Sequence, residues 1–173
     1  MTNFDTTRSD KITRDFLDKN IPYRRKVLVF TGEYSASPEV VFSQFCPSRE
    51  ADWINGWTAE LIYTESGYAE PLCVFRTPET NLLGAGLWML TRVEPNSLLE
   101  ATMLHDGGDV LEHMRLDVAD LENGRCRVTW TFTITALTET GNSIIAKIPD
   151  ETPRFVTDLE YFLTNGALRP LAA

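Results

Sequence analysis

This chain predicts an α+β domain: a seven-stranded antiparallel sheet, curved around a helix near the C-terminus. Three observations carry that expectation. Between Lys26 and Leu137, β-branched and aromatic runs with period-two alternation recur. Their separators carry turn chemistry: Ser66-Gly67, Pro78 to Asn81, Pro95-Asn96, Gly107-Gly108 and Asn123-Gly124. The last segment places Phe155, Leu159, Phe162 and Leu163 on one helical stripe. Strands in series with helices set apart from them mean α+β.

Taken in order, residues 1–22 read as an N-terminal extension. In it, Ser9 to Asn20 makes a short amphipathic helix with Ile12, Phe16 and Leu17 on its stripe. A single domain then fills 23–173. Lys26 to Tyr34 is the first strand. Ser37 caps a short helix that has Pro38 at its first position and Val40, Val41, Phe42 and Phe45 as its apolar side. Pro47 ends it, and a second short helix carries Arg49 to Trp53. Six strands follow: Thr58 to Thr64, Tyr68 to Arg76, Gly86 to Val93, Leu98 to His105, Val110 to Val118 and Arg125 to Leu137. Ser143 to Ile148 turns helical. Thr152 caps a long final helix from Pro153 to about Asn165, and Gly166 stops it.

At 173 residues with 43% apolar content, the chain suits one domain with a real core. A net charge of −9 argues against nucleic acid or an anionic membrane as main partner, because phosphate binding needs a basic surface. Cys46, Cys73 and Cys126 are odd in number and without a CxxC pair, which suits buried reduced thiols in the cytoplasm. Met1 to Lys19 lacks the apolar core of a secretion signal, and no run is long enough to span a bilayer. Two histidines and no clustered Cys or Asp make a poor ligand set, so neither metal nor cofactor is expected. The chain is expected to be a monomer or a homodimer.

The densest motif is Cys46-Pro47-Ser48-Arg49-Glu50-Ala51-Asp52-Trp53-Ile54-Asn55-Gly56-Trp57. On a helix, Arg49 lies one turn from Trp53, so its guanidinium stacks on the indole. Arg49, Glu50 and Asp52 also offer a clamp for a polar ligand head, or a fastening of the short helices to the sheet. This run, the strand Cys73-Val74-Phe75-Arg76-Thr77 and the strand with Trp88 resemble a small uncharacterised, polyketide cyclase/dehydrase-like subgroup of the START/Bet v 1-like (SRRPBCC) superfamily. The resemblance spans roughly Lys26 to Gly166. It implies the helix-grip fold and a hydrophobic cavity between sheet and C-terminal helix. That subgroup brings no established catalytic residues to transfer, and its superfamily holds carriers, receptors, cyclases and hydrolases.

Hairpin parity assigns the faces. A two-residue turn at Gly107-Gly108 sets Met103 opposite Glu112, Ala101 opposite Met114 and Leu99 opposite Leu116. A three-residue loop at Glu122-Asn123-Gly124 sets Trp130 opposite Leu116 and Phe132 opposite Met114. The apolar sets match only in this register. It carries two polar residues inward, His105 and Glu112, as diagonal neighbours. A carboxyl among Met114, Trp130 and Phe132 has a raised pKa and suits acid–base work. Glu112 and His105 are therefore the candidate catalytic pair, against the blander reading of a solvated histidine and a carboxyl holding a water or a loop N–H. Trp53, Trp57, Tyr63, Phe75, Trp88, Met103, Met114, Trp130, Phe132 and Tyr161 are the candidate ligand-binding residues.

Three functions remain open at this level. The first is binding or transport of a small hydrophobic molecule, lipid-, polyketide- or aromatic-like as the resemblance implies. It has gates at Arg49 to Trp53, Pro78 to Leu83 and Ser143 to Pro153. The second is a cofactor-independent cyclase, dehydratase or hydrolase using Glu112 and His105. The third is an interaction or stress-response domain whose cavity is packed shut by Met and Trp.

Overall fold

The computed structural model describes residues 23–78 and 84–171. The expected extension over 1–22, its helix included, and positions 79–83 of the expected gate lie outside the described residues. The elements are β1 (Arg25–Tyr34), α1 (Pro38–Phe42), 3₁₀ turns at Ser43–Phe45 and Glu50–Asp52, β2 (Glu60–Tyr63), β3 (Val74–Thr77), β4 (Gly86–Glu94), β5 (Leu98–His105), β6 (Val110–Asp120), β7 (Cys126–Ala136), α2 (Glu139–Ile145) and α3 (Phe155–Asn165). The seven strands form one antiparallel sheet in the order β1-β7-β6-β5-β4-β3-β2.

The register is the one that hairpin parity requires. Met103 pairs with Glu112, Ala101 with Met114 and Leu99 with Leu116, while Trp130 faces Leu116 and Phe132 faces Met114. The turn residues behave as their chemistry requires. Gly107 and Gly108 have φ of 97° and 73°, and the Gly108 N–H bonds the His105 carbonyl at 2.9 Å. Leu121 N–H bonds the Arg125 carbonyl at 3.0 Å, closing the Glu122-Asn123-Gly124 loop. Alternate residues of the central strands are buried on one face: Trp88 and Leu90 of β4, Ala101 and Met103 of β5, Val128 to Ala136 at every second position of β7. Register shifts between Leu61 and Tyr63 and between Leu90 and Arg92 mark β-bulges, which bend a strand and help curve the sheet.

Several boundaries differ from expectation. The strand read from Tyr68 begins only at Val74. Before it, the Glu70 carboxylate accepts hydrogen bonds from Thr64 Oγ1 and from the N–H groups of Glu65 and Ser66, folding 64–70 into a closed loop. Hydrogen bonding from the Ser66 and Thr64 side chains and the Glu65 N–H holds the Glu70 carboxyl low, at about 2. The second short helix is a 3₁₀ turn. With three residues per turn it places Arg49 beside Asp52, at 3.8 Å, and not over Trp53. The first helix after the sheet starts earlier than Ser143, with Thr138 as N-cap accepting from the Gly141 N–H at 3.1 Å. The C-terminal helix is 11 residues, and Thr152 does not cap it: Arg154 is at the N-cap without a side-chain bond. Its stop is as expected, Gly166 at φ 66°. The Ser37 cap and Pro38 at the first helical position are also as read.

Helix α3 meets the sheet ring on ring. Phe155 stands 5.9 Å from Trp130 and 6.2 Å from Phe132, both near edge-on. Tyr34 Oη donates to the Val156 carbonyl at 2.9 Å, fastening the helix to β1. All three cysteines are free and buried.

Candidate functional site

On the buried face the strands align their side chains in rows. One row runs Phe75, Trp88, Met103, Glu112 and Ile134 across β3 to β7. The next, two residues nearer the strand ends, brings Thr77 beside Gly86 and Gly86 beside His105. Rows two residues apart lie about 7 Å from one another. The alternation that builds β3 through β6 thus brings two polar side chains, Glu112 and His105, to the same end of the sheet.

Glu112 is 3% exposed, and no hydrogen bond or ion pair is seen from it to the described residues. Burial pushes its carboxyl from 4.5 up to about 8, with no opposing charge to bring it down. His105 is partly buried, and its Nδ1 is shut from solvent without a partner. Met103, in the first row, reaches along the strand toward Gly86 of the second. A Cβ placed on Gly86 would lie 2.1 Å from the Met103 Cε methyl, so the methionine fills the room that glycine leaves. Trp88 stacks on Phe75 with ring centroids 5.8 Å apart and planes 2° from parallel, and its Nε1 donates to Thr77 Oγ1 at 2.9 Å.

Outside this end of the face is a depression of about 400 Å³, lined by Thr58, Ala59, Glu60, Arg76, Thr77, Pro78, Ala85 and Asp106. Its volume is within the ordinary range of small-molecule sites, about 300–1,000 Å³. Arg76 and Asp106 close an ion pair across its rim at 2.8 Å. Asp106 N–H bonds the Ala85 carbonyl, also at 2.8 Å, and His105 is its neighbour in the chain.

The structure thus sorts the expected site residues into groups. Phe75, Trp88, Met103 and Glu112 share one row and His105 is in the next, which also holds Thr77 of the depression; none of the five lines the depression. Trp130 and Phe132 lie under α3, with Met114 paired to Phe132 and only partly buried and Tyr161 on α3 itself. Trp53 and Trp57 are pinned into the 3₁₀ corner, where Trp53 Nε1 donates to the Gln44 carbonyl at 3.1 Å and Trp57 Nε1 to that of Pro47 at 2.8 Å. Tyr63 stands apart: it is 55% exposed on the edge strand and donates to Glu65 at 3.2 Å. Glu50, partly buried in the corner, has its carboxyl pushed up by burial and by nearby Cys46. The depression lining itself was missed from sequence. Its inner wall, Thr77, was legible: it continues the Cys73, Phe75 alternation by one step. Among the described residues no cluster of His, Cys, Asp and Glu suited to a metal is present. Among them, too, no helix is long and apolar enough to cross a membrane.

No protein-family model matches the chain, and no curated protein matches it in sequence. Solved structures do match in shape. Norcoclaurine synthase from Thalictrum flavum, a point mutant with a transition-state analogue, superposes with a TM-score of 0.61 at 13% identity, over 83% of this chain and 97% of that one. An uncharacterized protein from Rhizobium leguminosarum gives 0.57 at 16% identity, over 82% and 96%. DynU16, from the dynemicin biosynthetic locus, gives 0.55 at 14% identity, and the match spans 83% of this chain but 51% of DynU16. At these identities the likeness shows the fold alone: the chain has a Bet v 1-like fold.

Proposed function

We infer that this is a member of the START/Bet v 1-like superfamily that binds a small, predominantly apolar molecule at the β3–β6 end of the buried face. The observation that carries the reading is Glu112, 3% exposed between Met103 and Ile134 with no hydrogen bond or ion pair seen to the described residues. A buried polar group without a partner costs about 1–3 kcal/mol, so a fold that keeps one at the end of a core row reserves it for something that arrives. A depression of about 400 Å³ that reaches Thr77, in the row of His105, lies at the same end of the sheet, and the shared fold with norcoclaurine synthase, a structure of which holds dopamine and hydroxybenzaldehyde, supports a ligand-handling role. The domain runs from about Tyr23 and works in the cytoplasm, as a monomer or a homodimer.

A second reading is favoured by one observation. A carboxyl near 8, diagonal to a histidine, is poised to move a proton at neutral pH, so the same site suits cofactor-free acid–base catalysis. Both readings require uptake of an apolar molecule. Titration with the uncharged fluorophore N-phenyl-1-naphthylamine tests this: saturable, one-to-one binding in the micromolar range is expected. Absence of saturation would refute both readings. Turnover lost in Glu112→Gln with probe affinity kept would select the enzyme.

A further inference from the structure

On the premise of that binding reading, and to narrow its ligand, we propose that the bound molecule is uncharged, mainly apolar, and carries one hydrogen-bonding oxygen that sits between the Glu112 carboxyl and His105 Nδ1.

Two polar groups on adjacent rows point to a shared partner. Glu112 is 3% exposed with no hydrogen bond or ion pair seen to the described residues, and the Nδ1 atom of His105 is shut from solvent without a partner. One oxygen satisfies both: it accepts from the protonated carboxyl and bonds the imidazole nitrogen at the same time. The other buried polar side chains do not compete for it. Asp158 is held by Arg154 at 3.0 Å, Thr77 takes the Trp88 indole N–H, and Gln44, whose Oε1 is also unpartnered, is in the 3₁₀ corner and not on these rows.

Charge selects further. The buried polar side chains described are Gln44, Thr77, Glu112 and Asp158, so no lysine or arginine described stands buried on this face to receive an anion. Arg76 at the rim is already closed on Asp106. An ammonium group would require Glu112 to ionise in apolar surroundings, and taking both charges out of water costs more than a neutral hydrogen bond. Access follows from Met103. Its unbranched side chain fills the notch over Gly86 between the depression and Glu112, and methionine repacks readily.

The test uses three probes that share ring and shape: 2-acetylnaphthalene, 2-isopropylnaphthalene and 1-(2-naphthyl)ethylamine. Tryptophan quenching at neutral pH gives their dissociation constants. The acetyl probe is expected to bind about five- to tenfold more tightly than the isopropyl probe, the worth of one hydrogen bond to a buried group. That preference should shrink in Glu112→Met, where only His105 remains to bond the oxygen, and survive in Glu112→Gln, whose amide still donates. Equal binding of the acetyl and isopropyl probes would overturn the proposal while leaving the binding reading intact. Tightest binding by the amine would overturn it in favour of a cationic ligand. Binding of none of the three would remove the binding reading itself. The wild-type comparison decides between these outcomes even if Glu112→Met fails to fold.

Discussion

Glu112 makes folding answer to pH in the opposite sense from an ordinary surface carboxylate. Its pKa rises from 4.5 to about 8 in the folded chain because burial penalises the charged form. The folded state therefore holds a proton that the unfolded state releases. The associated stability is fully present below about pH 4.5, declines as pH rises, and is gone above about pH 8, a span of about 3–5 kcal/mol. Glu112→Gln stays neutral throughout. Denaturant titrations at pH 5 and pH 9 should find the variant close to wild type at the first and several kcal/mol more stable at the second. A constant difference at both would show that the carboxyl is not neutral when folded. Tyr34 illustrates a second single-residue dependence. A Cβ on Gly32 would lie 2.3 Å from Tyr34 Oη, so the glycine makes room for the ring that reaches Val156. Tyr34→Phe keeps the ring and loses the bond. It should cost about 1 kcal/mol in chemical denaturation, because the Val156 carbonyl still has its helical partner.

Among elements, strands were more legible than corners, for a physical reason. A strand repeats every two residues, so two hairpin turns, at Gly107-Gly108 and at Glu122 to Gly124, fixed the faces of β5, β6 and β7 together. A three-residue 3₁₀ turn contains no period, so the motif around Arg49 revealed its aromatic content but not its geometry. The Tyr68 to Cys73 stretch has strand-like residues, yet the Glu70 carboxylate competes for the neighbouring backbone and wins. Glu112 and His105 were legible through parity alone. The depression was not, since loop residues such as Thr58 and Pro78 obey no repeat. Helix α2 owes its seat to a single glycine: a Cβ on Gly141 would lie 2.1 Å from the Asp109 carbonyl oxygen, backbone against side chain with nothing flexible to yield. Gly141→Ala should destabilise the fold by about 1–3 kcal/mol. If its melting temperature equals that of wild type, this close approach is wrong. Helix α3 is strapped differently. Asp158 is 3% exposed and faces Arg154 at 3.0 Å and Arg169 at 3.7 Å. Arg154 also donates to the carbonyls of Arg169 and Pro170. Asp158→Ala is expected to loosen residues 166–171, read as faster amide exchange there than in wild type.

For the whole molecule, the −9 charge sets the response to salt. The ion pairs seen are mostly at the surface, where each is worth about 1 kcal/mol or less and screening removes little. Repulsion among the excess carboxylates is screened too, and that gain should prevail. Raising sodium chloride from low to physiological strength should therefore lift the melting temperature by a few degrees, and a fall would show that the ion pairs dominate. The burial of Cys46, Cys73 and Cys126 reaches further. The Cys126 thiol is pushed to about 11 by burial and by nearby carboxylates, so it is doubly unreactive while the chain stays closed. One of these sulfurs lies near the 3₁₀ corner, another just before β3, and the third at the start of β7. An alkylating dye followed by mass spectrometry would thus time-stamp the breathing of three separate regions of one native chain, without adding a single label site.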